Sequence, residues 1–157
     1  MIEKARAQTA GRCHCTTLRK ASRRISQLYD SVLAPSGLKT TQRAILAEIG
    51  RSEPSTVGAL AAALVMDAGG LAHTLKPLIR DGLLAIDIDP SDRRNRLIRL
   101  TPRGGVRLRQ SDDLWETAQK SFEKGFGDTQ SKVLRKAIAL LLSDRFAEQF
   151  EADLASG

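Results

Sequence analysis

The chain has few aromatic residues and no long apolar run. Tryptophan, tyrosine and phenylalanine make up 4% of its 157 residues, whereas leucine, isoleucine, valine and alanine are plentiful. This balance favours helices packed through aliphatic stripes over a large β sandwich. No stretch of about 18 apolar residues occurs, which argues against a membrane span and a membrane partner. The N-terminus, MIEKARAQTAGR, has charges without a following apolar stretch, unlike a secretory signal. We therefore expect a cytoplasmic protein.

Sequence motifs of catalysis and of metal binding are also missing. The chain has no glycine-rich phosphate loop before a helix, no Gly-x-Ser-x-Gly and no paired-histidine motif, so we expect no enzyme. Its two cysteines, Cys13 and Cys15, flank one histidine, which gives too few ligands at the usual zinc spacings. We expect neither a metal nor a cofactor, and reduced thiols.

Positive charge, by contrast, is concentrated in one segment. Residues 89–109 contain seven arginines and two aspartates, so a net +5 of the chain's +7 lies in this stretch. Such local charge indicates a polyanionic partner. The alternative is a solvated polar turn whose charge only aids solubility.

The same segment has the pattern of a β hairpin. Apolar residues alternate over 84–88 and 97–100, as in two half-buried strands, and Asp-Pro-Ser-Asp at 89–92 is typical of a turn. The arginines then lie at or near a protruding tip. A narrow tip of this kind suits a DNA minor groove, whose negative potential favours guanidinium groups.

Short helices precede this hairpin. Thr40 or Thr41 is a candidate N-cap for a helix that Gly50 closes, and Ser55 or Thr56 caps a shorter one. Asp67 is a good N-cap for the next helix, with Leu71, Leu75, Leu78 and Ile79 facing inward, and Gly82 ends it. Two short helices joined by a tight turn and followed by a hairpin predict a winged helix-turn-helix.

Longer helices lie on both sides of this unit. The spacing predicts one helix from Cys13 to Leu33, one that follows Thr101-Pro102, and a last one capped by Asp128. Their apolar surface exceeds what one small domain needs, so they favour a dimerisation layer, with folding back into an intrachain core as the alternative. The fold class is thus mainly α with a small β wing. We divide the chain into an N-terminal arm and dimerisation helix (1–35), a DNA-binding domain (36–104) and C-terminal dimerisation helices (105–157).

This order of elements resembles the MarR family of bacterial transcriptional regulators. The segments GLKTTQRAILAEI (37–49), LKPLIRDGLL (75–84) and DPSDRRNRLIRLTPRG (89–104) are similar to the family's most recognisable stretches. Asp92 and Arg94 match its characteristic Asp-x-Arg. The resemblance covers about residues 12–154. It implies a homodimer that binds pseudo-palindromic double-stranded DNA, usually as a repressor, and releases it when a small effector or an oxidant acts.

The resemblance also implies roles for individual residues. The helix from Ala68 to Arg80 should enter the major groove. Arg94 should enter the minor groove, held by a charge-assisted contact from Asp92. Thr41 and Gln42 lie at a helix start where they could meet phosphates or serve in ordinary capping. The residues expected to contact DNA are Gly69, Gly70, His73, Thr74, Lys76, Asp92, Arg93, Arg94, Asn95 and Arg96.

Two glycines depart from the family pattern. Relatives usually carry arginine, serine or threonine where this chain has Gly69 and Gly70, which offer no side chain to a base edge. We therefore hypothesise weak base discrimination and an adaptable first helical turn. A sequence-neutral nucleic-acid binder is the alternative function.

Four residues are candidates for sensing a signal. Cys13 and Cys15 lie at the start of the first helix, where the helix dipole favours a reactive thiolate, and one branch of the family senses organic hydroperoxides through a cysteine near this end. The alternative is that both thiols only pack. Tyr29 and Trp115 are candidates to line an effector pocket, or else are ordinary core residues.

Overall fold

The computed structural model describes residues 13–52 and 54–157. Residues 1–12, the first part of the predicted arm and dimerisation helix (1–35), therefore lie outside the described residues, and so does the N-terminal segment on which the expectation about secretion rests. The described chain divides into two compact units, of which the first ends at Glu116 and the second is Thr117–Gly157. The helices are α1 (His14–Leu33), α2 (Thr40–Arg51), α3 (Val57–Ala63), α4 (Ala68–Arg80), α5 (Pro102–Gln110), α6 (Asp112–Phe126), α7 (Asp128–Leu141) and α8 (Asp144–Ala155), with a short 3₁₀ turn at Ala34–Ser36.

A small antiparallel sheet completes the first unit. Its strands are β1 (Ser55–Thr56), β2 (Leu84–Ile88) and β3 (Arg96–Leu100), in the order β1-β3-β2. Strands β2 and β3 form the predicted hairpin, which we call the wing (residues 84–100), with Leu84 opposite Leu100. The predicted fold class, mainly α with a small β wing, is confirmed.

One aliphatic core joins α2, α3, α4 and the sheet. Leucine and isoleucine side chains dominate it, and burying each fully stabilises the fold by roughly 1.5–3 kcal/mol. No single helix of the described chain is long and apolar enough to cross a membrane; α3 and α4 pass such a test only as a pair bent by 108°. The core residues are Leu38, Ile45, Leu46, Ile49, Leu60, Ala61, Leu71, Leu75, Leu78, Leu83, Leu84 and Ile98.

Several local signals act as the sequence predicts. The Thr56 hydroxyl accepts a hydrogen bond from the Ala59 amide at 3.1 Å and caps α3. The Asp67 carboxylate accepts one from the Gly70 amide at 2.8 Å and caps α4. Gly82 ends α4 with a φ of 69°, in the left-handed region that favours glycine.

The start and end of α2 differ from the prediction. Its N-cap is Lys39 rather than Thr40 or Thr41, because the Gln42 side chain reaches back and accepts a hydrogen bond from the Lys39 amide at 3.0 Å. Gly50 does not close the helix either, since α2 continues to Arg51.

The long C-terminal helices are each interrupted once. The helix that starts after Thr101 breaks at Ser111, where α5 ends and α6 begins, and the last helix breaks at Leu142 and Ser143. Neither interruption contains glycine or proline, and the apolar spacing continues through both, so the sequence indicated unbroken helices. Gly127 rather than Asp128 is the N-cap of α7.

The second unit carries much apolar surface in the single chain. Within it, the Arg135 guanidinium donates to the Glu123 carboxylate at 3.2 Å. Large apolar residues nevertheless remain exposed along α7, α8 and the turn between them. They include Val133, Ile138, Leu140, Leu141, Leu142, Phe146, Phe150 and Leu154.

Candidate nucleic-acid interface

The outer face of α4 presents the predicted recognition residues to solvent. Leu71, Leu75 and Leu78 anchor the opposite face in the core, so His73 and Lys76 are exposed. The half-buried Thr74 donates its hydroxyl hydrogen to the Gly70 carbonyl at 3.0 Å, a bond within its own helix. The imidazole of His73 and the ammonium group of Lys76 are therefore accessible from the outer face of α4.

The two glycines of α4 give room to its cap. A Cβ on Gly70 would lie 2.9 Å from Asp67 Oδ2, and one on Gly69 would lie 3.2 Å from Asp67 Oδ1. The capping carboxylate therefore sits where the side chains of the first helical turn would otherwise crowd it. This gives the pair a structural reason that the sequence did not reveal.

A groove of about 720 Å³ runs between α4 and the start of α2. His73, Thr74 and Lys76 line it together with Thr41 and Gln42, so these two sets of predicted residues share one surface. The sequence-based prediction left out the other lining residues, which are Asp30, Lys39, Pro77 and Arg80. The groove has three cationic side chains, Lys39, Lys76 and Arg80, and one carboxylate, Asp30, which makes it suitable for a phosphate backbone.

The carboxylate Asp30 has a structural role in this groove. Its Oδ1 accepts a hydrogen bond from the Thr40 amide at 2.6 Å, which joins the C-terminal part of α1 to the first residue of α2. Arg80 is also engaged, since its Nε donates to Asp81 Oδ1 at 2.9 Å. Lys39 and Lys76 remain as the exposed ammonium groups of the groove.

At the tip of the wing, aspartates bind backbone amides. Asp89 Oδ1 accepts hydrogen bonds from the Ser91 hydroxyl at 2.6 Å and from the Ser91 amide at 2.8 Å, and these bonds, the hydroxyl's first, lower the pKa of Asp89. Asp92 Oδ1 accepts one from the Arg94 amide at 3.0 Å. The tip is therefore folded by two local carboxylate turns.

The expected contact between Asp92 and Arg94 takes a different form. Asp92 holds the backbone amide of Arg94 and not its guanidinium, because a short aspartate side chain reaches the amide two residues ahead more readily than the end of a long side chain. Arg93, Arg94 and Asn95 are all exposed. Arg96 is exposed too, and its Nη1 donates to the Arg93 carbonyl at 3.1 Å.

Cys13 occupies the N-cap of α1. Its sulfur accepts hydrogen bonds from the Thr16 hydroxyl at 3.3 Å and the Thr16 amide at 3.5 Å. These bonds stabilise the thiolate and lower the pKa of Cys13, the side-chain bond contributing most. Both Cys13 and Cys15 are exposed and unbridged. Residues 13–52 and 54–157 hold no cluster of three histidine, cysteine or acidic side chains that fits a metal ion.

The two candidate aromatic residues have different surroundings. Trp115 lies in the first turn of α6, and the Arg43 guanidinium carbon lies 4.7 Å from its ring centroid. Tyr29 is half-buried on α1. Sequence reasoning missed Arg43, since its partners lie 68 and 69 residues further along the chain.

Comparisons with known proteins agree with this architecture. Residues 38–104 match the family described as a winged helix DNA-binding domain. A search of curated proteins gave no match.

Several solved structures share the fold of the chain. The chain is 35% identical in sequence to the transcriptional regulator MosR of M. tuberculosis, whose structure is in complex with DNA. The match covers 87% of this chain and 97% of MosR, with a TM-score of 0.77. CouR, a transcriptional repressor bound to a 23-mer DNA duplex, is 21% identical over 85% of this chain and 94% of its own, with a TM-score of 0.76. A mutant MarR from E. coli complexed with operator DNA is 21% identical over 86% and 94%, with a TM-score of 0.75.

Proposed function

Because the chain belongs to the MarR family of transcriptional regulators, we propose that it is a homodimeric, sequence-specific DNA-binding regulator that represses its target genes. The observation that carries this proposal is the groove lined by both α4 and the start of α2, together with exposed wing arginines. Such a regulator acts on double-stranded DNA in the cytoplasm and needs no catalytic group.

In this proposal α4 lies in the major groove of the DNA. His73 and Lys76 then face the base edges, Thr74 and the backbone at Gly69 and Gly70 approach the duplex, and Thr41 with Gln42 meets the phosphates. The wing enters the neighbouring minor groove through Arg94. Arg93, Asn95 and Arg96 would add phosphate contacts, and Asp92 would shape the tip.

The apolar surface of the second unit supports the homodimer. Phe146, Phe150 and Leu154 follow one another at four-residue spacing on α8 and are 38%, 57% and 69% exposed in the single chain. Exposed apolar patches of this kind mark protein interfaces. We retain the division into an arm and dimerisation helix (1–35), a DNA-binding domain (36–104) and dimerisation helices (105–157) as part of the proposal.

An oxidant is one signal that would release the DNA. The thiolate of a cysteine is its reactive form, so the hydrogen bonds from Thr16 favour oxidation of Cys13. Cys15 lies two residues away and is exposed as well, so an oxidation test has to include both thiols. A small effector between helices, near Tyr29 or Trp115, is the other release signal that the proposal includes.

A sequence-neutral nucleic-acid binder is the second candidate function. Gly69 and Gly70 favour it, because they remove base-reading side chains from the first turn of α4. Both functions predict strong salt dependence, so salt alone does not separate them. The ratio of affinity for a specific site to affinity for random DNA does separate them, because a sequence-neutral binder has no preferred site.

The test is a titration of the purified protein with the DNA just upstream of its own gene and with a random duplex of equal length. Salt is held fixed, and each titration is repeated after hydroperoxide treatment. A regulator should prefer the upstream DNA by about a thousandfold or more. Equal affinity for both duplexes would instead support the sequence-neutral binder. Unchanged binding after oxidation would reject the thiol signal, and a variant with serine at both cysteine positions is its control.

A further inference from the structure

Arg43 makes three contacts at the break between α5 and α6. Its Nε donates to Ser111 Oγ at 3.1 Å, and its Nη2 donates to Asp112 Oδ1 at 2.7 Å. The guanidinium carbon lies 4.7 Å from the ring centroid of Trp115. The Arg43 side chain is only 13% exposed, whereas the side chain of its partner Asp112 is 50% exposed.

These three contacts require a guanidinium group. A planar group with donors at fixed angles can bond a hydroxyl and a carboxylate while its face stacks on an aromatic ring, whereas a lysine ammonium is a point charge on a flexible stem. Ser111 is itself fully buried, and its hydroxyl donates to the Leu108 carbonyl at 2.6 Å. The first turn of α6 is thus held against α2 at several atoms.

The two elements that Arg43 joins have different roles in the proposed function. Helix α2 shares its core with α4, through Ile45 and Leu46 among others. Helix α6 is the element along which the chain passes from the first unit into the second, since it spans Asp112–Phe126 and the division falls after Glu116. The second unit carries the exposed apolar residues of α7 and α8 that support the proposed dimer.

We propose that Arg43 is a positioning residue that sets the spacing of the two recognition helices in the DNA-bound dimer. The inference rests on the proposed function. Half-sites on the same face of DNA lie about 34–36 Å apart, so both copies of α4 must be presented at a matching distance. By fixing the first turn of α6 to α2, Arg43 limits how far this distance can vary.

Loss of Arg43 should therefore affect two-site binding more than one-site binding. Once the first half-site is bound, binding to the second is intramolecular, and its effective concentration depends on how well the geometry matches the span. If the first turn of α6 is no longer fixed to α2, the distance between the two copies of α4 varies more, and the affinity for a full site falls. Contacts within one half-site, made by α4 and the wing, stay the same.

The experiment uses full-length protein and two duplexes. The first is a duplex that the wild-type protein selects from a random pool, and the second is the same duplex with one half scrambled. The variants are Arg43→Met, which removes all three contacts, and Arg43→Lys, which keeps the charge. Arg51→Met is the matched control, because it removes the same charge from the same helix at a side chain that is 73% exposed and pairs with Glu48 one turn away.

Arg43→Met should lower the ratio of full-site to half-site affinity by about tenfold or more, within the usual range of coupling between sites. Arg43→Lys should lower it less, and Arg51→Met should leave it unchanged. Trp115 is the only tryptophan of the chain, so its fluorescence should shift in Arg43→Met and not in Arg51→Met.

If Arg43→Met left the ratio of full-site to half-site affinity unchanged, whether or not both affinities fell, the inference would be overturned and the proposed function would remain intact. Should Arg43→Met fail to fold, an unchanged ratio in folded Arg43→Lys would overturn it as well. A wild-type protein that enriches no duplex from the pool would instead refute the proposed function itself.

Discussion

Gly104 in the first turn of α5 lies against the backbone of Leu83, and replacing it with alanine should destabilise the fold. A Cβ at this position would lie 2.0 Å from the Leu83 carbonyl oxygen and 3.0 Å from Leu100 Cδ1. The first distance is far below any normal contact, so the backbone must move. The same carbonyl accepts hydrogen bonds from the Thr101 amide and hydroxyl, both at 3.1 Å, and the movement would weaken them.

The magnitude follows from two opposing effects. Alanine gains up to about 1 kcal/mol of helix propensity over glycine, whereas overpacking a tight contact costs about 1–3 kcal/mol and occasionally more. Weakening the Thr101 bonds costs about a further 1 kcal/mol. We expect a net loss of about 2 kcal/mol for Gly104→Ala, equivalent to a Tm about 4–8 °C lower for a chain of this size.

Gly105 provides the control for this prediction. It is the next residue of α5, and a Cβ there would lie 3.4 Å from Arg109 Nη1 and 3.8 Å from Leu100 Cδ2, which is ordinary contact. Gly105→Ala should therefore leave the Tm unchanged or raise it slightly. The assay is urea and thermal unfolding followed by far-ultraviolet circular dichroism. If Gly104→Ala melted as high as Gly105→Ala, the argument from the Leu83 carbonyl would be wrong.

Three further predictions concern the interface and the thiol. Arg94→Ala should weaken DNA binding without lowering the Tm, because the side chain is exposed; unchanged affinity in a gel-shift titration would remove the wing from the mechanism. Asp67→Ala should lower the free energy of unfolding by about 1 kcal/mol, because it removes the N-cap of α4. Amide hydrogen exchange near Gly70 should then be faster in the variant than in the wild-type protein, and equal exchange rates in the two proteins would contradict this prediction. Thr16→Val should raise the pKa of Cys13, because it removes the hydroxyl donor that lowers it most. Less thiolate is then present at neutral pH, so alkylation of Cys13, followed by mass spectrometry across pH, should be slower and its midpoint higher; an unshifted midpoint would show that this hydrogen bond does not control the thiol.

Local sequence signals predicted most of the helix starts and ends in the first unit. Asp67 and Thr56 are side chains whose capping geometry involves only the next three residues, and Gly82 has a backbone conformation that few other residues adopt. These features depend on neighbours in sequence, so they can be inferred from sequence. The pairing of the two-residue strand β1 with β3 depends on residues about 40 positions apart and was not foreseen.

The breaks at Ser111 and Ser143 were missed for a related reason. Serine is tolerated inside helices, and here its role as a break depends on what surrounds it. Ser143 caps α8 by accepting a hydrogen bond from the Phe146 amide at 3.3 Å. Ser111 ends α5 where Arg43 of α2 donates to its hydroxyl. Both breaks carry the same local pattern, Ser-Asp followed two residues later by an apolar residue, and Ser111 has in addition the tertiary contact from Arg43.

The Asp-x-Arg segment of the wing shows how far a pattern can specify a mechanism. The same three residues can form an ion pair or a turn in which the aspartate binds the backbone, and the structure has the turn. The difference matters for binding, because a paired arginine must give up its carboxylate before it can meet a phosphate. Arg99 is paired in this way with Asp87 at 2.5 Å. In the described part of the chain Arg94 has no such ion pair, so its whole charge is available to DNA, and it should contribute more to affinity than Arg99 although both lie on the wing.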